Sequence, residues 1–162
     1  MSYYKSVFTK IRIIFRKFFG LRIASISSVF AALNPRAARS VDEKLFRLLL
    51  ELEFDKAQRL HYFISVLCLS ITPHLNERWM RHLTDRFTDR LRSTDVVTLT
   101  SGSSWTFLLV GAQPESLKSI ILRITEHLGT LSWCAGGASY PDTALGIDDL
   151  LVQAKQSQTI CG

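Results

Sequence analysis

The run LHYFISVLCLSIT, from Leu60 to Thr72, constrains this chain more than any other feature. It is short, apolar and rich in β-branched and aromatic residues, as expected of a buried central strand, and Pro73 ends it. Its charge-free apolar stretch, Phe63 to Ile71, falls far below the ~20 residues that a membrane-spanning helix requires. A strand with no polar face must be covered on both sides, so the rest of the chain has to supply helices for a sheet.

The flanking periodicities supply them. Ser40 and Glu43 form a capping-box start for a helix whose Val41, Leu45, Leu48, Leu49, Leu52 and Phe54 offer a core face. After Pro73, Leu75, Trp79, Leu83, Phe87 and Leu91 step by four through a helix of about five turns, which places Trp79 in the core. Two strand-like runs, Asp95 to Thr100 and Trp105 to Gly111, are joined by Ser101-Gly102-Ser103-Ser104, the spacing of a β-hairpin. Trp105 reads as a buried anchor.

Pro114 and Glu115 open a further helix with Leu117, Ile120, Ile121, Ile124 and Leu128 on its inner side, closed by Gly129. Leu131 to Tyr140 is a strand whose Gly136-Gly137 pair marks close backbone packing or a bulge, and Asp148 to about Ser157 is a last helix. The expected fold is an α/β (α+β) sandwich: a mostly antiparallel central sheet flanked by helices, preceded by an N-terminal amphipathic helical arm. Residues 1–39 form the arm and 40–162 the body, including its lead-in helix.

Charge divides along the same boundary. The chain has 162 residues and a formal net charge of +6, yet residues 1–41 hold eight basic side chains and no acidic one. Residues 42–162 are left with 12 basic against 14 acidic, so the body is slightly acidic. In the arm, Tyr4, Val7, Phe8, Ile11, Ile14, Phe15, Phe18 and Leu21 make one apolar face bordered by Lys5, Arg12, Arg16 and Lys17. Such a helix suits a membrane interface rich in anionic headgroups, and equally a docking site on the body or a partner's helix. Lys5, Arg12, Phe15, Arg16, Lys17 and Phe18 are the candidate contacts. Nucleic-acid binding fits poorly, because bulky apolar residues dominate the arm and the body has no basic stripe interleaved with aromatics. A cleaved secretory signal is a poor fit as well, since six basic residues interrupt the first 22 positions.

Cys68, Cys134 and Cys161 show neither a CxxC spacing nor a dense, even disulfide framework, so a reducing cytoplasm is expected, with at most peripheral attachment to the inner membrane. The four His are scattered without zinc-ligand spacing, and no structural metal is expected. Asp85 and Asp89, four apart among Arg81, Arg86 and Arg90, read as a solvated, salt-bridged helix face.

From Arg59 onward the order of elements resembles the GGDEF, or diguanylate cyclase, domain. Arg92-Ser93-Thr94-Asp95 matches the family's Arg-x-x-Asp motif; VVTLT follows, and then Ser101-Gly102-Ser103-Ser104-Trp105 stands in register where that family has its Gly-Gly-Asp/Glu-Glu-Phe hairpin. TFLLVGAQPESLKSIILRITEHL resembles the next strand, loop and helix, while CAGGASYP and DDLLVQAK resemble the family's ending. The resemblance implies a nucleotide-cyclase-like fold. In the family, two carboxylates hold the two metal ions that make cyclic di-GMP from GTP. Here the hairpin offers Ser103 and Ser104, the end of the first strand has no acid, and only Pro73-His74 stands where the family has a substrate-binding helix. A neutral hydroxyl is no substitute for an anionic ligand to Mg²⁺. The expectation is a degenerate, non-catalytic domain with no metal or cofactor.

The family's second site, which binds the cyclic di-GMP product, implies ligand contacts for Arg92, Asp95 and Arg123. Two guanidinium forks suit phosphates or the O6/N7 edge of guanine, and a carboxylate suits its N1–H and N2–H. The same residues also fit a bland reading, because Arg is common at a helix C-terminus, Asp in a turn, and Arg123 can snorkel from an amphipathic helix. The resemblance thus implies an effector of cyclic di-GMP, monomeric or dimeric, acting on a protein partner in a membrane-associated assembly of the exopolysaccharide or biofilm kind. The alternative is a ligand-free scaffold for protein contacts.

Overall fold

A computed structural model describes residues 39–162; the arm contacts at Lys5, Arg12, Phe15, Arg16, Lys17 and Phe18 lie outside them. The described chain runs β1 (Arg39–Val41), α1 (Glu43–Leu60), β2 (Ile64–Thr72), α2 (Glu77–Asp89), β3 (Val96–Leu99), β4 (Ser104–Val110), a 3₁₀ turn (Pro114–Ser116), α3 (Leu117–Thr125), β5 (Ser132–Tyr140), α4 (Ile147–Gln156) and β6 (Ile160–Cys161). The six strands form one sheet in the order β1-β3-β4-β2-β5-β6. Only the β1–β3 pairing is parallel. The mostly antiparallel sandwich expected from the sequence is the one observed.

From Ile64 onward the apolar run is the central strand its composition demands, whereas Leu60 ends α1 and is exposed, with His61 as the cap. β2 pairs along its length with β5 on one side and with β4 on the other. Because side chains alternate along a strand, Leu67, Leu69 and Ile71 point into a core with Leu83 and Phe87 of α2, Ile121 and Ile124 of α3, and Trp105 and Phe107 of β4. Ile64, Val66 and Cys68 point the other way, against Phe46, Leu50, Phe54 and Ala57 of α1 and Leu150 and Ala154 of α4. Each fully buried large side chain contributes roughly 1.5–3 kcal/mol. Two filled faces are what hold a strand with no polar side.

Four expectations need correction. The cap of α1 is Asp42, whose Oδ1 accepts from Leu45 N–H at 2.9 Å, while Ser40 belongs to β1. The buried face of α1 is Phe46, Leu50, Phe54 and Ala57, with Leu52 turned out to solvent. Five of the six residues from Leu45 to Leu50 are apolar, so periodicity left the inward side ambiguous until the sheet selected one. Trp79 is 54% exposed instead of core. Steps of four overshoot a 3.6-residue turn by about 40° each, and at the start of α2 that drift carries Trp79 off the face kept by Leu83, Thr84 and Phe87. The fourth correction concerns cysteine: Cys134 and Cys161 face each other on β5 and β6 and are disulfide-bonded, and Cys68 alone stays a thiol. Neither β1 nor β6 was legible, because strands of three and two residues carry no periodicity.

Candidate functional site

Arg92-Ser93-Thr94-Asp95 forms the corner between α2 and β3. The corner is a tight turn in which Asp95 N–H donates to Arg92 C=O at 2.9 Å, and the Asp95 side chain closes it from the other direction. Oδ2 accepts from Arg92 N–H at 2.9 Å, and Oδ1 accepts from Val110 N–H, at the end of β4, at 3.2 Å. The backbone C=O of Asp95 also accepts from Arg39 N–H, which ties β1 to the same corner. Asp95 is only 4% exposed. Burial raises its carboxyl above the ordinary aspartate range, opposed by the two backbone N–H groups and by the positive charges of Arg92 and Arg123.

Arg92 and Arg123 thus act electrostatically on the Asp95 carboxyl from two different elements, and neither forms an ion pair with it. Both are exposed, Arg92 just beyond α2 and Arg123 in the last turn of α3. The resemblance grouped these three residues, and the structure gives them unequal parts: two exposed arginines and a buried acid already bonded to the backbone.

Beside them lie residues to which the sequence assigned no ligand, three of them read only as part of a solvated helix face. Arg86, Asp89, Arg90 and His127 line a shallow cleft of about 350 Å³. Arg90 contacts His127 and forms a 3.8 Å ion pair with Glu126. His127 follows Arg123 by four residues, as Arg90 follows Arg86. These i, i+4 repeats were the available signal, and what they lacked was the packing of α2 beside α3. Asp85 and Asp89 are exposed, and neither makes an ion pair among the described residues.

At the hairpin, the serines bond to the protein's own chain. Leu75 N–H donates to Ser103 Oγ at 2.7 Å, so Ser103 fastens the loop that follows β2. Ser70 Oγ and Ser104 Oγ bond across the β2–β4 ladder at 3.0 Å. No group of three or more His, Cys, Asp or Glu converges among the described residues. The donors at the hairpin are neutral hydroxyls already engaged, a set that does not fit a hard divalent cation.

The folded chain resembles solved GGDEF domains. A diguanylate cyclase (DGC) protein from Thermotoga maritima superposes with a TM-score of 0.67 at 16% identity, covering 75% of this chain and 98% of that one. A microbial GGDEF domain characterised for its interaction with cyclic di-GMP gives 0.58 at 13%, covering 74% and 85%. The diguanylate cyclase SiaD of Pseudomonas aeruginosa, in complex with its activator SiaC, gives 0.62 at 11%, covering 96% and 69%. No protein-family model and no curated relative matches the chain. At these identities the likeness establishes the fold: a GGDEF-type, nucleotide-cyclase-like α+β domain.

Proposed function

We propose that this protein is a non-catalytic effector that binds cyclic di-GMP through Arg92, Asp95 and Arg123, and passes the signal to a protein partner. The observation that carries this reading is that Arg92 and Arg123, both exposed and on different elements, each oppose the upward shift of the Asp95 carboxyl. Two forked cations from different elements suit a ligand with two phosphates and two guanine edges. The hydroxyl-only hairpin supports the non-catalytic half of the reading. Among domains of this fold, one is characterised with cyclic di-GMP and another with an activator protein, which supports both kinds of partner. The partner assembly is proposed to be membrane-associated, of the exopolysaccharide or biofilm kind, with the protein on the cytoplasmic side and residues 1–22 as its membrane or partner contact. Among the described residues no helix is long and apolar enough to cross a membrane.

Isothermal titration of the full chain with cyclic di-GMP tests the reading. Micromolar binding is expected, weakened about tenfold or more in Arg92→Ala and in Arg123→Ala, because a charge-assisted hydrogen bond contributes roughly 1.5–3 kcal/mol. No heat at high micromolar ligand, or binding unchanged in Arg92→Ala, overturns it. Pyrophosphate release from GTP and Mg²⁺ overturns the non-catalytic assignment.

A second reading, a ligand-free scaffold, is favoured by one observation: both Asp95 oxygens are committed to backbone N–H groups, so the motif already has a structural use. Co-purification with a partner at fixed stoichiometry, together with no response to cyclic di-GMP, selects it.

A further inference from the structure

The C-terminal residues cross the sheet as a strap. Leaving α4, Ser157 Oγ donates to Gly137 C=O at 3.0 Å, and Gln158 Nε2 donates to Ser70 Oγ at 3.2 Å. The chain passes so close to β5 that a Cβ on Gly136 would stand 2.3 Å from the Ser157 carbonyl carbon and oxygen. It then turns along the open edge of β5 as β6. Trp133 and Gly162 exchange two backbone hydrogen bonds, each 3.0 Å, and Cys134 lies opposite Cys161 in the neighbouring pair. That neighbouring position is the close, non-hydrogen-bonded kind, where facing Cα atoms come within about 4.5 Å; here they are 4.1 Å apart. A two-residue strand at a sheet edge has few bonds of its own. Besides the disulfide, β6 is held by the Trp133–Gly162 backbone pair and by Ile160 against the core.

We propose that Cys134 and Cys161 form a reversible thiol–disulfide modification site, which fastens residues 158–162 to the β5 edge when oxidised and releases them when reduced. The site stands apart from the cyclic di-GMP reading and needs none of its residues. Access supports it, because Cys161 is exposed and Cys134 half-buried. The remaining cysteine, Cys68, is buried among apolar side chains, and that burial raises its thiol above the usual range, so it is a poor exchange partner.

In the opening step, one thiolate of a dithiol attacks Cys161 Sγ, the S–S bond breaks, and Cys134 leaves as a thiolate that takes up a proton. The second thiol of the reductant then displaces Cys161 from the mixed disulfide. Two electrons and two protons pass to the protein, which gains two thiols, and the dithiol becomes a cyclic disulfide. Closure runs the reverse course with a small disulfide such as oxidised glutathione as acceptor. Release removes the cross-link between positions 27 residues apart and bares the backbone groups of Trp133 that Gly162 had satisfied.

The test is hydrogen exchange, read by mass spectrometry on the full chain after equilibration with oxidised glutathione and again after dithiothreitol. Non-reducing peptide mapping should find Cys134 joined to Cys161 in the first sample. Reduction should speed exchange at the Trp133 and Gly162 amides about tenfold or more and leave the β2 amides unchanged. Cys161→Ser, which removes the bond without touching the core, should exchange at the fast rate with or without reductant. Two free thiols after oxidation, or the same exchange in both states, overturns the proposal.

Discussion

The indole N–H of Trp105 donates to Thr84 Oγ1 at 2.8 Å inside the core between α2 and the sheet. Trp105 is fully buried and packs edge-on against Phe87 with ring centroids 5.3 Å apart, while the Thr84 hydroxyl donates onward to Met80 C=O. Thr84→Val keeps the shape and strands the indole donor. It should destabilise the protein by about 1–3 kcal/mol in urea denaturation. In a Trp105→Phe background the same substitution should do much less, because no buried donor is left without a partner; equal effects in the two backgrounds would contradict the bond's role.

Asp95→Asn replaces one of two acceptor oxygens with an NH₂ that cannot receive an N–H. Stability should fall by about 1–3 kcal/mol, since either Arg92 N–H or Val110 N–H loses its acceptor. The pH dependence follows from the sign of the shift. A carboxyl raised by burial contributes stability below the ordinary aspartate value of about 4, and loses it as pH rises through the raised folded value. Denaturation midpoints measured from pH 4 upward should carry this decline in the wild type and lack it in the Asn variant.

Gly136 and Gly102 separate steric need from backbone need. Gly136→Ala puts a methyl into the Ser157 backbone and should displace the strap, destabilising by about 1–3 kcal/mol. Gly102 has φ +72° with open space around it, so Gly102→Ala meets only the left-handed backbone penalty of about 1 kcal/mol. Thermal melts of the two variants should rank in that order.

Ser103→Asp puts one acid into the hairpin. It should create no Mg²⁺-dependent GTP turnover, because β2 ends in Ser70, Ile71 and Thr72 and supplies no second carboxylate. Pyrophosphate release by this variant would show that a single acid suffices here.

The sequence alone determined that the apolar run holds a strand buried on both faces, because a run with no polar alternation has no side to give to water, but it started that strand at Leu60, which ends α1 and is 70% exposed. It also placed the hairpin, the α2–β3 corner and the inner side of α3, since Gly, Pro and strong periodicity act locally. It could not choose which leucines of α1 face the sheet, and it put Trp79 inside, because both depend on the angle at which a helix meets its neighbours. Arg92, Asp95 and Arg123 were named from the resemblance to the GGDEF domain. Only the tertiary structure showed that Asp95 is spent on backbone N–H groups while the two arginines stay open, and only the pairing of β5 with β6 brought Cys134 opposite Cys161. Such long-range pairings are set by how the faces of the whole sheet pack together, and spacing along the chain does not record them.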